Sequence, residues 1–112
     1  MPVRGVRRRY LAIKIYSENE VCEKDFFDAI EQKINFLYGV VGASRINYRA
    51  IELENDIAII RCNHLWVLQM RTVIGHIQEI DSNPVILQVI RISGTIRTLK
   101  KKLKNDHINQ KT

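Results

Sequence analysis

The sequence is sparing with the residues that build stapled or membrane-embedded proteins. Its 112 residues include two cysteines, Cys22 and Cys62. They lie far apart and form no C-x-x-C pair, which argues against a disulfide scaffold or a zinc ribbon and fits a reducing compartment. No apolar run approaches the roughly 18 residues that a membrane span requires. The N-terminus is basic, but Lys14 interrupts the apolar stretch behind it, so no secretory signal is expected. Aromatic residues make up 7% of the chain, and the strand-like run Ile57–Cys62 has none. It lacks the aromatic pattern with which RNP-type sheets stack bases.

Acid is scarce at both ends. Residues 1–14 hold Arg4, Arg7, Arg8, Arg9 and Lys14 with no acidic residue. Residues 91–112 hold seven basic residues against Asp106, while residues 15–90 hold six basic against eleven acidic. The chain nets +6, with a pI of about 9.6. Such segregation of sign suggests a localised site for a polyanion, nucleic acid first among the candidates. The alternative is a solvated surface with loose basic tails.

A catalytic constellation is also lacking. His64 and His76 fall twelve residues apart in one helical stretch, and no cysteine or carboxylate cluster completes a metal set. No Ser/His/Asp or Cys/His arrangement can be placed, and Glu18 and Glu20 lie in a turn without acid–base context.

What is present is enough for one globular domain. Hydrophobic residues make up 46% and charged residues 27%, a folded composition with one core. The domain is expected to span residues 1–112, with an ordered core over about 7–104 and a polar tail at 105–112. Leu11, Ile13 and Ile15 alternate with Tyr10, Ala12 and Lys14, so Arg8 to Tyr16 reads as a strand. Phe27, Ile30, Ile34, Leu37 and Tyr38 fall at helical spacing, predicting a helix over 23–38 that Gly39 stops. A loop at Gly42–Ser44 leads to strands over 46–53 and 57–62, joined by Glu54-Asn55-Asp56. Asn63 is placed to cap a second helix over 64–80. Asp81 to Pro84 ends it, and 85–92 is an apolar strand. Ser93-Gly94 opens a last helix over 95–104.

The order β-α-β-β-α-β predicts an α+β, ferredoxin-like sandwich, RRM-like in topology without the RNP aromatics, plus a C-terminal basic helix. Two helices would cover one sheet face. The last helix offers Ile96, Leu99 and Leu103, too narrow a stripe to hide the other, so a protein partner is expected there beside the alternative of self-coverage.

Binding residues are sought where charge and backbone chemistry coincide. A glycine between strand and helix lets backbone N–H groups converge, and a helix start attracts phosphate. Gly94, Thr95 and Arg97 sit there, and Arg97 is a cation at the end of a helix that favours anions. Alternatively, Gly94 is a turn glycine and Arg97 a solvated side chain. Lys100, Lys101 and Lys104 continue the helix. Arg97, Lys101 and Lys104 share one face opposite Ile96, Leu99 and Leu103. Arg7, Arg8 and Arg9 form a basic arm before the first strand, suited to a nucleic-acid backbone or simply to solubility.

Arg9-Tyr10-Leu11, Gly42-Ala43, Ile60-Arg61-Cys62 and the segment Ser93–Thr98 resemble, in order and spacing, the component 2 proteins of archaeal and eukaryotic ribonuclease P (the Pop5 family). The likeness covers about residues 7–104, and the compact length is similar to the archaeal form. It implies a non-catalytic subunit of a ribonucleoprotein endonuclease that removes the 5′ leader from precursor tRNA. The RNA is then the catalyst, with magnesium at the RNA active site and no cofactor bound by this chain. It also implies ribonuclease P RNA and protein component 3 (the Rpp30 family) as partners, precursor tRNA as the holoenzyme's substrate, no membrane, and a cytoplasmic location, or nuclear in a eukaryote. Three other readings stand beside it. One is a ferredoxin-like RNA-binding or assembly module of another ribonucleoprotein. A second is an acylphosphatase-type enzyme, disfavoured by the anion-repelling loop Ser17–Glu20. The third is a small-molecule regulatory module, which the sign-segregated charge disfavours.

Overall fold

The computed structural model describes residues 7–110, with side chains as far as Asp106; Arg4 and Lys111 of the basic termini lie outside this range. Its elements are β1 (Arg8–Ser17), α1 (Glu23–Ile46), β2 (Arg49–Glu54), β3 (Ile57–Asn63), a single 3-10 turn (His64–Trp66), α2 (Val67–His76), β4 (Glu79–Ile80), β5 (Asn83–Ser93) and α3 (Ile96–Gln110). The strands form one five-stranded sheet in the order β2-β3-β1-β5-β4, every pairing antiparallel. The class is α+β with three helices. The four-strand expectation is corrected by β4, which adds a short outer strand.

That extra strand arises from turn chemistry. Asp81 and Ser82 have φ of 50° and 66°, and Ile80 pairs with Asn83 across them. Two central residues with positive φ make the tight hairpin turn that suits twisted strands. Asn55 and Asp56, at 52° and 65°, do the same between β2 and β3. The second helix expected over 64–80 therefore stops at His76. Its tail, Glu79–Ile80, pairs with β5 instead.

Gly39 breaks α1 as expected, with φ 70° and ψ −173°, but does not stop it. The helix resumes and ends at Ile46, capped by Asn47 in the left-handed conformation, whose N–H donates to the Ala43 carbonyl at 3.0 Å. The expected loop at 42–44 is helical, and Ile46 is a helix end rather than a strand start. Close approach allows this resumption: a Cβ on buried Gly42 would fall 2.5 Å from the Tyr38 Cβ, nearer than packed carbons come. Ile46 is fully buried and anchors the resumed turn.

The main core lies between α1, α2 and the near sheet face. Leu11, Ile13 and Ile15 of β1 and Ala58, Ile60 and Cys62 of β3 meet Phe26, Ile30, Ile34, Met70, Val73 and Ile74 there. The far face carries a smaller core of Ala12, Ile59 and Leu99, flanked by Tyr10, Ile51, Ile57, Ile90 and Leu103. The last helix covers more than its stripe suggested, since Leu99 is fully buried, and it continues past Lys104 to Gln110. Tyr16 and Ile86 stay exposed on the sheet. The larger exposed apolar side chains lie elsewhere, on α1 and around α2, with Phe36 80% and Val40 84% exposed beside Val41, Leu65 and Leu68.

Candidate nucleic-acid interface

Three chain segments arrive at one end of the sheet. β1 begins there, and β3 and β5 finish there. Arg8 stands opposite Asn63, Arg9 opposite Cys62, and Tyr10 between Arg61 and Ser93. The His64 N–H donates to the Arg7 carbonyl at 2.9 Å, and the His64 Nδ1 lies 3.0 Å from the same oxygen. The arginine run is thus tied into the fold from Arg7 onward, and Arg8 and Arg9 belong to β1 rather than to a free arm.

Arg9 is half-buried and donates from Nη1 to the Arg8 carbonyl at 3.2 Å. A Cβ built on Gly94 would lie 3.7 Å from that same Nη1. The two basic segments, remote in sequence, therefore meet at Arg9 and Gly94. Among the described glycines Gly39 alone has positive φ, so the turn does not require glycine at 94 for its backbone. What the missing side chain leaves is room beside the Arg9 guanidinium.

α3 starts from this junction. The Thr95 hydroxyl accepts the Thr98 N–H at 3.1 Å and donates to the Thr98 hydroxyl at 2.9 Å. It serves as the helix N-cap, so its side chain holds the helix rather than standing free for a ligand. Lys100 is likewise engaged: its Nζ bonds Glu52 Oε1 at 2.9 Å. Arg97, Lys101 and Lys104 are exposed, and Leu99 lies beneath, as the helical spacing predicts.

Two bulges seat this helix. Ile90 is an extra residue in β5, between the Val89–Ile13 and Arg91–Ala12 pairs, and Ile51 is extra in β2, between the Ala50–Ile60 and Glu52–Ile59 pairs. A bulge sets two successive residues on one side of the sheet. Each here offers an isoleucine to the far-face core and a charge to the helix. Glu52 takes Lys100, and Arg91 takes Asp106 through two bonds of 2.6 and 2.5 Å. The Arg91 bonds hold the Asp106 carboxyl below its ordinary value. Beyond α3 the far face opens into a groove of about 1080 Å³, floored by Ile57, Ile59 and Ile90 and edged by charges of both signs.

Arg45, Arg49 and Arg61 were missed in the sequence. Arg49 stands directly opposite Arg61, and the Arg45 carbonyl accepts from the Asn63 side chain at 3.3 Å at the same end of the sheet. The signal is visible once strand directions are known. β2 runs from Arg49 to Glu54, and β3 from Ile57 to Asn63 with Arg61 near its end. Asp56 and Asp81 sit in the hairpin turns at the opposite end, where Glu18 and Glu20 follow β1. An acidic middle between basic termini in sequence thus becomes a sheet with a basic end and an acidic end. Among the described residues, the ion pairs are Arg91–Asp106 and Lys100–Glu52; the arginines of the basic end take part in neither.

Burial pushes the Cys62 thiol up to about 11, so it stays protonated near neutrality. Among the described residues no three His, Cys, Asp or Glu side chains gather into a set that could hold a metal ion. Among the same residues no helix is long and apolar enough to cross a membrane.

The sequence pattern of the Rpp14/Pop5 family matches residues 9–104. The chain belongs to the Rpp14/Pop5 family. Arg9 and the Gly94–Lys104 segment fall inside the matched span, and Arg7 and Arg8 precede it. Similar proteins include ribonuclease P protein component 2 of Methanosarcina mazei, 28% identical over 95% of this chain and 91% of that one. The component 2 protein of Pyrococcus furiosus is 29% identical over 86% of this chain and 82% of its own length. A chain in the cryo-EM structure of yeast ribonuclease MRP shares the fold, with a TM-score of 0.66 over 98% of both chains at 15% identity.

Proposed function

We propose that this protein is a non-catalytic subunit of ribonuclease P, which binds and stabilises the catalytic RNA while the 5′ leader is removed from precursor tRNA. The observation that carries this reading is the convergence of the Arg7–Arg9 and Gly94–Arg97 segments at a sheet end where, among the described residues, no acidic residue stands, in a chain of the Rpp14/Pop5 family. The role of the chain is to neutralise closely packed phosphates, and Arg97, Lys101 and Lys104 are aimed for it by a helix already seated on Leu99. Hydrolysis is assigned to the RNA, whose magnesium ions activate water for in-line attack. No step is assigned to a side chain of this protein.

The connectivity reads as a ferredoxin-like core with β4 added. The exposed apolar residues of α1 and α2 support a protein interface, and we assign it to protein component 3, with precursor tRNA met as substrate of the assembled enzyme in the cytoplasm, or in the nucleus of a eukaryote. The test is reconstitution of ribonuclease P RNA with protein component 3 and precursor tRNA. Cleavage should rise when this chain is added, and affinity for the RNA should fall by several powers of ten between about 50 and 200 mM salt. Cleavage indifferent to the chain, or a flat salt plot, overturns the reading.

A further inference from the structure

Resting on RNA as the partner, we infer that Arg49 and Arg61 form a second phosphate site, a row across β2 and β3 that extends the interface away from α3. Register places Arg49, Arg61, Tyr10 and Ser93 side by side on four neighbouring strands. Directly paired residues share a sheet face, and this one is the far face, since Tyr10 packs beside the Ala12–Ile59–Leu99 core.

Two features set this pair apart from an ordinary solvated surface. First, like charges directly opposite on neighbouring strands repel, and neither arginine has a carboxylate partner among the described residues. The nearest acid along β2 on this face is Glu52, which Lys100 occupies. Second, the Nε of Arg61 is buried without a hydrogen-bond partner. A buried donor left unpaired is unfavourable. The register thus sets two arginines side by side at some expense in stability. A phosphodiester oxygen accepts from the Nη groups of the guanidinium forks and offsets the repulsion, while the buried Arg61 Nε is closed to it. The site is continuous with the proposed interface, because Arg61 and Arg8 lie on the face and at the sheet end from which α3 departs. Tyr10, beside Arg61, gives the row a ring against which a ribose or base can lie.

The occupant is a phosphate of the RNA backbone, read without regard to sequence. Salt-dependent binding of ribonuclease P RNA to the full chain is measured for the parent, Arg49→Gln and Arg61→Lys, with thermal unfolding of each protein alone. Arg49→Gln should weaken RNA binding about tenfold and lower the log–log salt slope by about one. Its unfolding midpoint should stay level or rise, because a repulsion has been removed. Arg61→Lys keeps the charge and stem but not the fork, and should lose affinity with little change in slope. Ethylation interference on the RNA should show phosphates that matter to the parent and not to Arg49→Gln. If the parent binds and both variants match it in affinity and slope, the second site does not exist. If affinity falls only in step with a lower unfolding midpoint, the arginines are structural and the inference is overturned. A parent that fails to bind RNA overturns the function proposed above, and the inference with it.

Discussion

The two faces of the sheet are closed by different physics. The near face is sealed by α1 and α2 over an apolar core of large side chains, with Phe26, Ile30, Leu11 and Ile60 fully buried. The far face is crossed by one helix that buries Leu99 on Ala12 and Ile59 and is tied at its flanks by exposed ion pairs. Burying a leucine contributes about 1.5–3 kcal/mol, whereas an exposed ion pair is screened by solvent and contributes little. The near face supplies the stability. The far face buries less and leaves the cations of α3 exposed to solvent.

The sharpest way to break this contrast is on the near side. Phe26→Ala removes a fully buried ring that meets Phe27 edge-on at 5.2 Å. It should lower unfolding stability by about 3–5 kcal/mol, measured by denaturant titration, while the folded fraction binds RNA as before. Leu99→Ala should cost less, near the lower end of about 2–5 kcal/mol, because its cluster is small. It should also weaken RNA binding, since the cations of α3 lose their seat. An unchanged midpoint for Leu99→Ala would mean that α3 is not docked.

Arg97→Ala should leave folding intact and reduce RNA affinity by about 1–3 kcal/mol, read from filter binding with circular dichroism as the folding control. Gly94→Ala is compatible with the backbone, so an affinity loss there would report the space beside Arg9 rather than misfolding. The smallest effect belongs to the Arg91–Asp106 tie. Asp106 titrates below its ordinary value because Arg91 bonds it. Its stabilisation is present above the ordinary carboxylate value and is lost as pH falls through the lowered one. Hydrogen exchange in α3, corrected for intrinsic rates, should therefore speed up in strong acid in the parent. Asp106→Asn should show faster exchange already at neutral pH and less further change in acid.

The sequence was most legible where structure is local. The period of two in β1, the helical stripe from Phe27 to Leu37 and the buried line of α3 were all readable because each residue's fate follows from its neighbours. Where local rules competed, reading failed. Gly39 has the chemistry of a helix stop, yet the chain recovers because Gly42 permits close packing on Tyr38 and Ile46 finds the core. Asp81-Ser82 has the chemistry of a helix end, yet it makes a hairpin because Ile80 buries itself beside β5.

The candidate site divides along the same line. Arg7–Arg9 and Gly94–Lys104 stood out as runs of like charge, while Arg61 entered only as part of the Ile60-Arg61-Cys62 likeness and not as a binding residue. Arg49 and Arg61 lie one to a strand, each amid ordinary residues, and their pairing exists only in the register of β2 on β3. The roles of Thr95 and Lys100 were settled in space as well, one by a cap bond within the turn and the other by Glu52, 48 residues away in sequence. Composition and periodicity determined the class, the elements with one clear period and the segregation of charge along the chain, because these sum over single residues and near neighbours. Strand register, the two bulges and the separation of the sheet into a basic and an acidic end were decided only by the tertiary structure. They depend on which distant residues face one another, and that is set by the burial of the whole core at once.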